Sequence, residues 1–206
     1  QPAAAVLFGG ILITLLAVGG KRLQGELVVL VGGFIAYTVA DGATLGGTGA
    51  LGTGAAWSSV AVAQGGHLAP GAALGELSIG ALTLAPDSFF DIQLSPTDWD
   101  MLNVTGTVNL DGAILELSAL SSFALYGGSE YMVLQNDSTD PIGGTFAGLA
   151  EGATINLPDA QFAITYQGGT GNDIVLTAVP EPATMALLGL AACGLGGYVR
   201  RRRRTA

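Results

Sequence analysis

Apolar and polar residues alternate in short runs along much of the chain. Phe90, Ile92 and Leu94 alternate with polar neighbours, as do Val104, Val108 and Leu110 within Asn103-Val104-Thr-Gly106-Thr-Val108-Asn-Leu110. A period of two predicts strands with one buried face. Gly or Asp-Gly separates the runs and suits sharp corners. The runs also recur. Val39, Gly42 and Leu45 share their spacing with Val62, Gly65 and Leu68. A looser copy holds Leu84, Asp87 and Phe90, and a fourth begins near Leu110-Asp-Gly112. The offsets of 23, 22 and 26 residues predict one coil each of a right-handed parallel β-helix, or solenoid, over residues 27–122. No rung buries its apolar face alone, so each depends on its neighbours.

From Phe123 the spacing changes. Tyr131–Leu134, Thr145-Phe146, Thr154-Ile155, Phe162–Tyr166 and Ile174–Leu176 predict short antiparallel strands between Gly, Asn and Asp turns. Residues 123–178 read as a small β-sandwich or meander capping the solenoid, whose last rung would otherwise template aggregation. Residues 1–26 are ambiguous. Ala3–Gly20 is uncharged and reads either as an apolar β rung or as a signal or membrane-type helix. The chain starts at Gln1, which we read as the start of a fragment or processed product.

Residues 179–206 form a separate module. Val179, Pro180, Glu181 and Pro182 precede the uncharged run Ala183–Val199, with Leu187, Leu188, Leu190 and Leu195 inside it. Arg200, Arg201, Arg202, Arg203 and Arg204 follow. The prolines block a helix upstream, so one is expected to begin at Ala183. Its 17 residues would span roughly 25 Å. That falls a little short of a hydrocarbon core of about 30 Å, and snorkelling arginines supply part of the difference. An arginine cluster stays cytoplasmic, which places the rest of the chain across the membrane.

Charge narrows the function classes. The net charge is −9, from seven basic and 16 acidic residues. Leu23 to Val199 contains no Lys or Arg. A body without cations is not expected to bind nucleic acid or to supply a phosphate-binding lysine. One Cys and one His exclude a disulfide framework and a His/Cys zinc site. Charged residues make up 11% of the chain, against about 25% in a typical domain, and 33 glycines are roughly twice the usual share. Both suit an all-β, turn-rich fold.

The order Pro-Glu-Pro, short apolar helix, arginine cluster over Val179–Arg204 resembles the PEP-CTERM sorting signal of Gram-negative bacteria. That resemblance implies an exosortase as partner, with Val179–Pro182 as its recognition motif, and a passing membrane-inserted stage. It further implies delivery to the cell surface and association with exopolysaccharide or biofilm. The stretches ADGATLGGTGALGTG, DMLNVTGTVNLDGAILEL and ITYQGGTGNDIVLT resemble the C-terminal repeats of autotransporter-like β-helix proteins. The latter resemblance bears on fold and export rather than on activity.

Four further features bear on candidate chemistry. Gly168-Gly169-Thr-Gly171-Asn-Asp173 fits one copy of a nonapeptide that binds Ca²⁺ in tandem arrays, which makes Asp173 a candidate calcium ligand. The simpler reading is a tight turn entering the last strand. Asp98 and Asp100 would share a face in a strand and could act as an acid–base pair, although Pro96 and Thr97 favour a surface loop. His67 reads as a solvated corner histidine. Thr105-Gly-Thr107 is a Thr-x-Thr step without repeats. The sequence therefore predicts a non-enzymatic structural or adhesive surface protein without a required cofactor. A polysaccharide-active β-helix enzyme and a Ca²⁺-stabilised adhesion module stand as alternatives.

Overall fold

The computed structural model describes residues 12–13, 35–51, 58–71, 73–121, 123, 128–137, 140–179, 190–191 and 193. Their strands wind as parallel coils. The short β1 (Leu12–Ile13) lies parallel to β2 (Ile35–Val39). The following coils comprise β2, β3 (Thr44–Gly47) and β4 (Gly49–Ala50), then β5 (Ser58–Val62), β6 (His67–Pro70) and β7 (Glu76–Ile79). Next come β8 (Ala81–Leu84), β9 (Phe89–Leu94) and β10 (Met101–Val104), and then β11 (Val108–Asn109), β12 (Ile114–Ala119) and β13 (Glu130–Gln135). Each coil adds one strand to each of three sheets. The first sheet runs β1-β2-β5-β8-β11-β14, where β14 is Ile142–Gly143, and the second runs β3-β6-β9-β12. The third begins β4-β7-β10-β13.

The register matches the spacing in the sequence. Val39 pairs with Val62 and Val62 with Leu84, while Leu82 pairs with Val108. Between the first and second sheets, Ala43, Gly66, Ser88 and Ala113 donate N–H bonds to the carbonyl three residues earlier. Gly42, Gly65 and Asp87 occupy the third position of these turns with φ of 69, 73 and 58°. Such a turn requires the left-handed conformation there. At the fourth corner Asp111 and Gly112 both have positive φ, the pattern of a tighter, type I′ turn. That corner is one residue shorter: Leu82 pairs with Val108, 26 residues on, whereas Phe89 pairs with Ile114, 25 residues on.

Alternate residues of β5, β8, β9 and β10 are buried, including Val60, Leu82, Phe90, Ile92, Leu94 and Leu102. The run Asn103–Leu110 does not form one strand. Thr105 and Gly106 make a corner, so Thr105 and Thr107 fall between β10 and β11 and not on a common strand face.

The cap continues the third sheet. Strands β15 (Thr154–Leu157), β16 (Ala160–Gly168) and β17 (Asp173–Val179) form an antiparallel meander in which β17 also pairs antiparallel with β13. Strand β13 is thus parallel to β10 on one side and antiparallel to β17 on the other. The cap is a single-sheet meander, not a sandwich. Thr145 and Phe146 form no strand, because Phe146 donates its N–H to the Tyr166 hydroxyl and wedges its ring against Phe90. Solenoid and cap share one core that runs from Tyr37 to Ala178. Phe123, Tyr131 and Phe162 meet edge-to-face at its cap end.

Among the described residues no helix is long and apolar enough to cross a membrane. Leu190, Ala191 and Cys193 are helical and exposed. The rest of the expected membrane helix, with Pro180–Pro182 and Arg200–Arg204, lies outside the described residues.

Candidate functional site

Strand β17 leads directly into the C-terminal module. Val179, the first residue of the predicted motif, is the last residue of β17 and pairs with Gln161. Its neighbour Ala178 is buried, accepts an N–H bond from Gly128 and donates one to Ser129. The first residue of the motif therefore belongs to the sheet itself.

At the other end of β17, the glycine-rich turn closes with a bond from the Gly171 N–H to the Gly168 carbonyl. Gly169 and Gly171 both have positive φ. The buried Asp173 carboxylate accepts the Thr170 N–H at 2.8 Å and the Thr170 hydroxyl at 3.1 Å on one oxygen. Its other oxygen accepts the Asn136 N–H at 2.7 Å. Asn136 and Asn172 both donate their side-chain amides to the Asp140 carbonyl. This network fastens the β16–β17 turn to the end of β13. Calcium takes six to eight oxygens, and no group of three or more His, Cys, Asp or Glu able to hold a metal occurs among the described residues.

The two carboxylates of Asp98-Trp99-Asp100 part company. Asp98 is exposed and accepts its neighbour's N–H, from Trp99. Asp100 is buried and accepts the N–H groups of Gly75 at 3.1 Å and Gln93 at 2.9 Å. It joins a loop of the preceding coil to β9. A side chain at Gly71 would collide with its Oδ1, so close packing fixes Gly71 as well. Trp99 lies between them, donating its indole N–H to the Met132 carbonyl and meeting Tyr131 edge-on.

The second sheet holds a pairing that the corner reading of His67 misses. His67 is the first residue of β6, not a corner residue, and Phe89 pairs with it one coil later. Their rings stack with centroids 4.4 Å apart. The His67 Nδ1 lies 2.9 Å from Asp91 Oδ2. The repeat carries the signal, since Asp91 stands one coil plus two residues beyond His67. Asp91 and Glu116 are adjacent in register, and like charges placed side by side repel. Both border an open groove of about 420 Å³, with Ala69, Gln93, Asp100 and Ser118. The groove is bordered by acids, over a lining that is about half apolar, and so suits neutral polyols or cations and not polyanions.

With this geometry in place, the comparisons define a class. Residues 178–204 match the family model of the PEP-CTERM protein-sorting motif. The match begins inside β17, at buried Ala178, and runs through the apolar segment and the arginines. Such a motif implies processing by an exosortase and export across a membrane. A comparison with curated proteins finds no match. The described body, residues 35–179, is all-β and built on a parallel solenoid, and the sorting motif follows at residues 178–204.

Proposed function

We propose that the chain is a structural or adhesive protein of the cell surface or extracellular matrix, held briefly in the inner membrane and then released by exosortase. The observation that carries this reading is the sorting-motif match at 178–204, joined directly to a folded β body. In this reading Ala183–Val199 is the transmembrane helix and Arg200–Arg204 its cytoplasmic end, in a Gram-negative-type envelope. Val179–Pro182 is the segment the exosortase recognises. The coil spacing supports an autotransporter-type repeat, and a rigid solenoid suits a spacer within exopolysaccharide or biofilm. Intact mass of the surface-extracted protein tests the proposal. Loss of the arginine tail is expected, and a retained tail contradicts it.

The groove favours a second reading, a polysaccharide-active enzyme, because Asp91 and Glu116 stand side by side at its edge. A glycan-degradation screen separates the two. Turnover that disappears in Asp91→Asn and Glu116→Gln would replace the structural role with a catalytic one. No turnover is expected.

A further inference from the structure

A second groove, of about 410 Å³, lies between the end of β12 and the β15–β16 turn. Leu120, Phe123, Leu157 and Pro158 line it with Ser118 and Ser121, and Asp159 is the one charged residue at its border; Leu117 and Ser118 are shared with the acidic groove. Leu120 is 51% exposed. Outside the C-terminal module it is the large hydrophobic side chain left in solvent among the described residues. A groove wall also abuts the exit of the sorting motif, because Ala160 precedes Gln161, the partner of Val179.

Chain length then limits where this groove can be. Three residues separate Val179 from Ala183, the start of the apolar run. Fully extended, the step from Val179 to Ala183 covers at most about 14 Å. If Ala183–Val199 lies in the bilayer, the Val179 end of β17, with Gln161 beside it, is held within about that distance of the start of the membrane segment. A mostly apolar groove with one carboxylate at its border approaches lipid at lower desolvation cost than the adjoining acidic groove.

We infer that the groove around Leu120 is the face that rests on the lipid surface while the sorting segment is still attached. This rests on the proposed membrane insertion of Ala183–Val199. The contact positions the body against the bilayer and holds the segment between Val179 and Ala183 at the interface, where a membrane-embedded processing enzyme works. Release of the body would expose the groove to water or to the matrix.

The test compares the full chain before and after addition of phosphatidylcholine vesicles, with an environment-sensitive fluorophore on one thiol at a time. The thiols are Leu120→Cys and Thr38→Cys, each combined with Cys193→Ser, and native Cys193. Thr38 is exposed on β2, three strand spacings or about 14 Å from β11, towards the end away from the cap. The inference predicts a blue shift at Leu120→Cys on adding vesicles, with loss of emission to a lipid-bound quencher, and no change at Thr38→Cys. A quenched Cys193 label beside a water-like Leu120→Cys label overturns the groove contact and leaves membrane insertion standing. A Cys193 label that stays in water overturns both. A Leu120→Cys label already blue-shifted before vesicles are added means that protein covers the groove, and that also overturns the inference.

Discussion

The Asp173 carboxylate accepts two backbone N–H groups and a hydroxyl, and so closes the β16–β17 turn and ties it to β13. Its removal leaves the buried Asn136 N–H without a partner, whereas the donors of exposed Thr170 can turn to water. Asp173→Ala is therefore expected to lower stability by about 1–3 kcal/mol, read from urea unfolding. At the corners the cost is conformational. Gly65 has a φ of 73°, and a side chain there would strike the Asp41 carboxylate. Gly65→Ala is expected to cost about 1–2 kcal/mol in the same measurement, from the left-handed conformation alone. Tyr166 titrates above the ordinary tyrosine value, chiefly because it is buried, with nearby Glu151 acting in the same direction and its bond from Phe146 opposing both. Burial also raises Tyr37. A raised folded-state value gives stability that is complete below about pH 10 and is lost as pH climbs towards the folded value, since only the unfolded chain releases the proton. Thermal unfolding followed by near-ultraviolet circular dichroism should show the midpoint falling above about pH 10. Tyr166→Phe should flatten that fall while lowering the midpoint at neutral pH, because the Phe146 N–H and Leu149 carbonyl lose their partner.

At the scale of elements, the recurrence of Val39, Val62, Leu84 and Leu110 makes the coils legible from spacing alone. Inward-facing side chains must stack on their counterparts one coil away, so register and sequence period are the same quantity. Phe90, Ile92 and Leu94 are legible for the same reason, through period-two burial. The cap is less so. Its pairings join β13 to β17 and the Asn136 N–H to Asp173 without any repeated spacing to announce them. Phe146 reads as part of a strand because an apolar residue beside threonine resembles one, whereas a hydroxyl on another strand takes its N–H. Asp98 and Asp100 look paired at an i, i+2 spacing that holds only for an extended strand. The Ser95–Asp98 turn sends one to solvent and the other inward. Fully buried Ile92 lies in β9, between coils on both sides. Ile92→Ala should cost about 2–5 kcal/mol in urea unfolding, and more than the same change at Ile114, which is only half-buried.

For the whole molecule, charge separates body from address. The seven basic residues sit at Lys21, Arg22 and Arg200–Arg204, and every acid precedes Ala183. Cutting after Pro182 would remove five arginines and no acid. Two bases against 16 acids then leave a body of charge −14, which repels anionic polymers and attracts divalent cations. The same cut would leave β17 whole, because Val179 is the last residue of the sheet. Pairing of Val179 with Gln161 and of Ala178 with Ser129 protects the bonds before Pro180. The sorting-motif match thus overlaps the end of β17, and a cut after Pro182 need not disturb the cap. Intact-mass analysis of the protein recovered from the cell surface tests this most directly. The account predicts a species that ends at or after Pro180 and lacks Arg200–Arg204. A surface protein that keeps all five arginines, or one truncated inside β17, would contradict it.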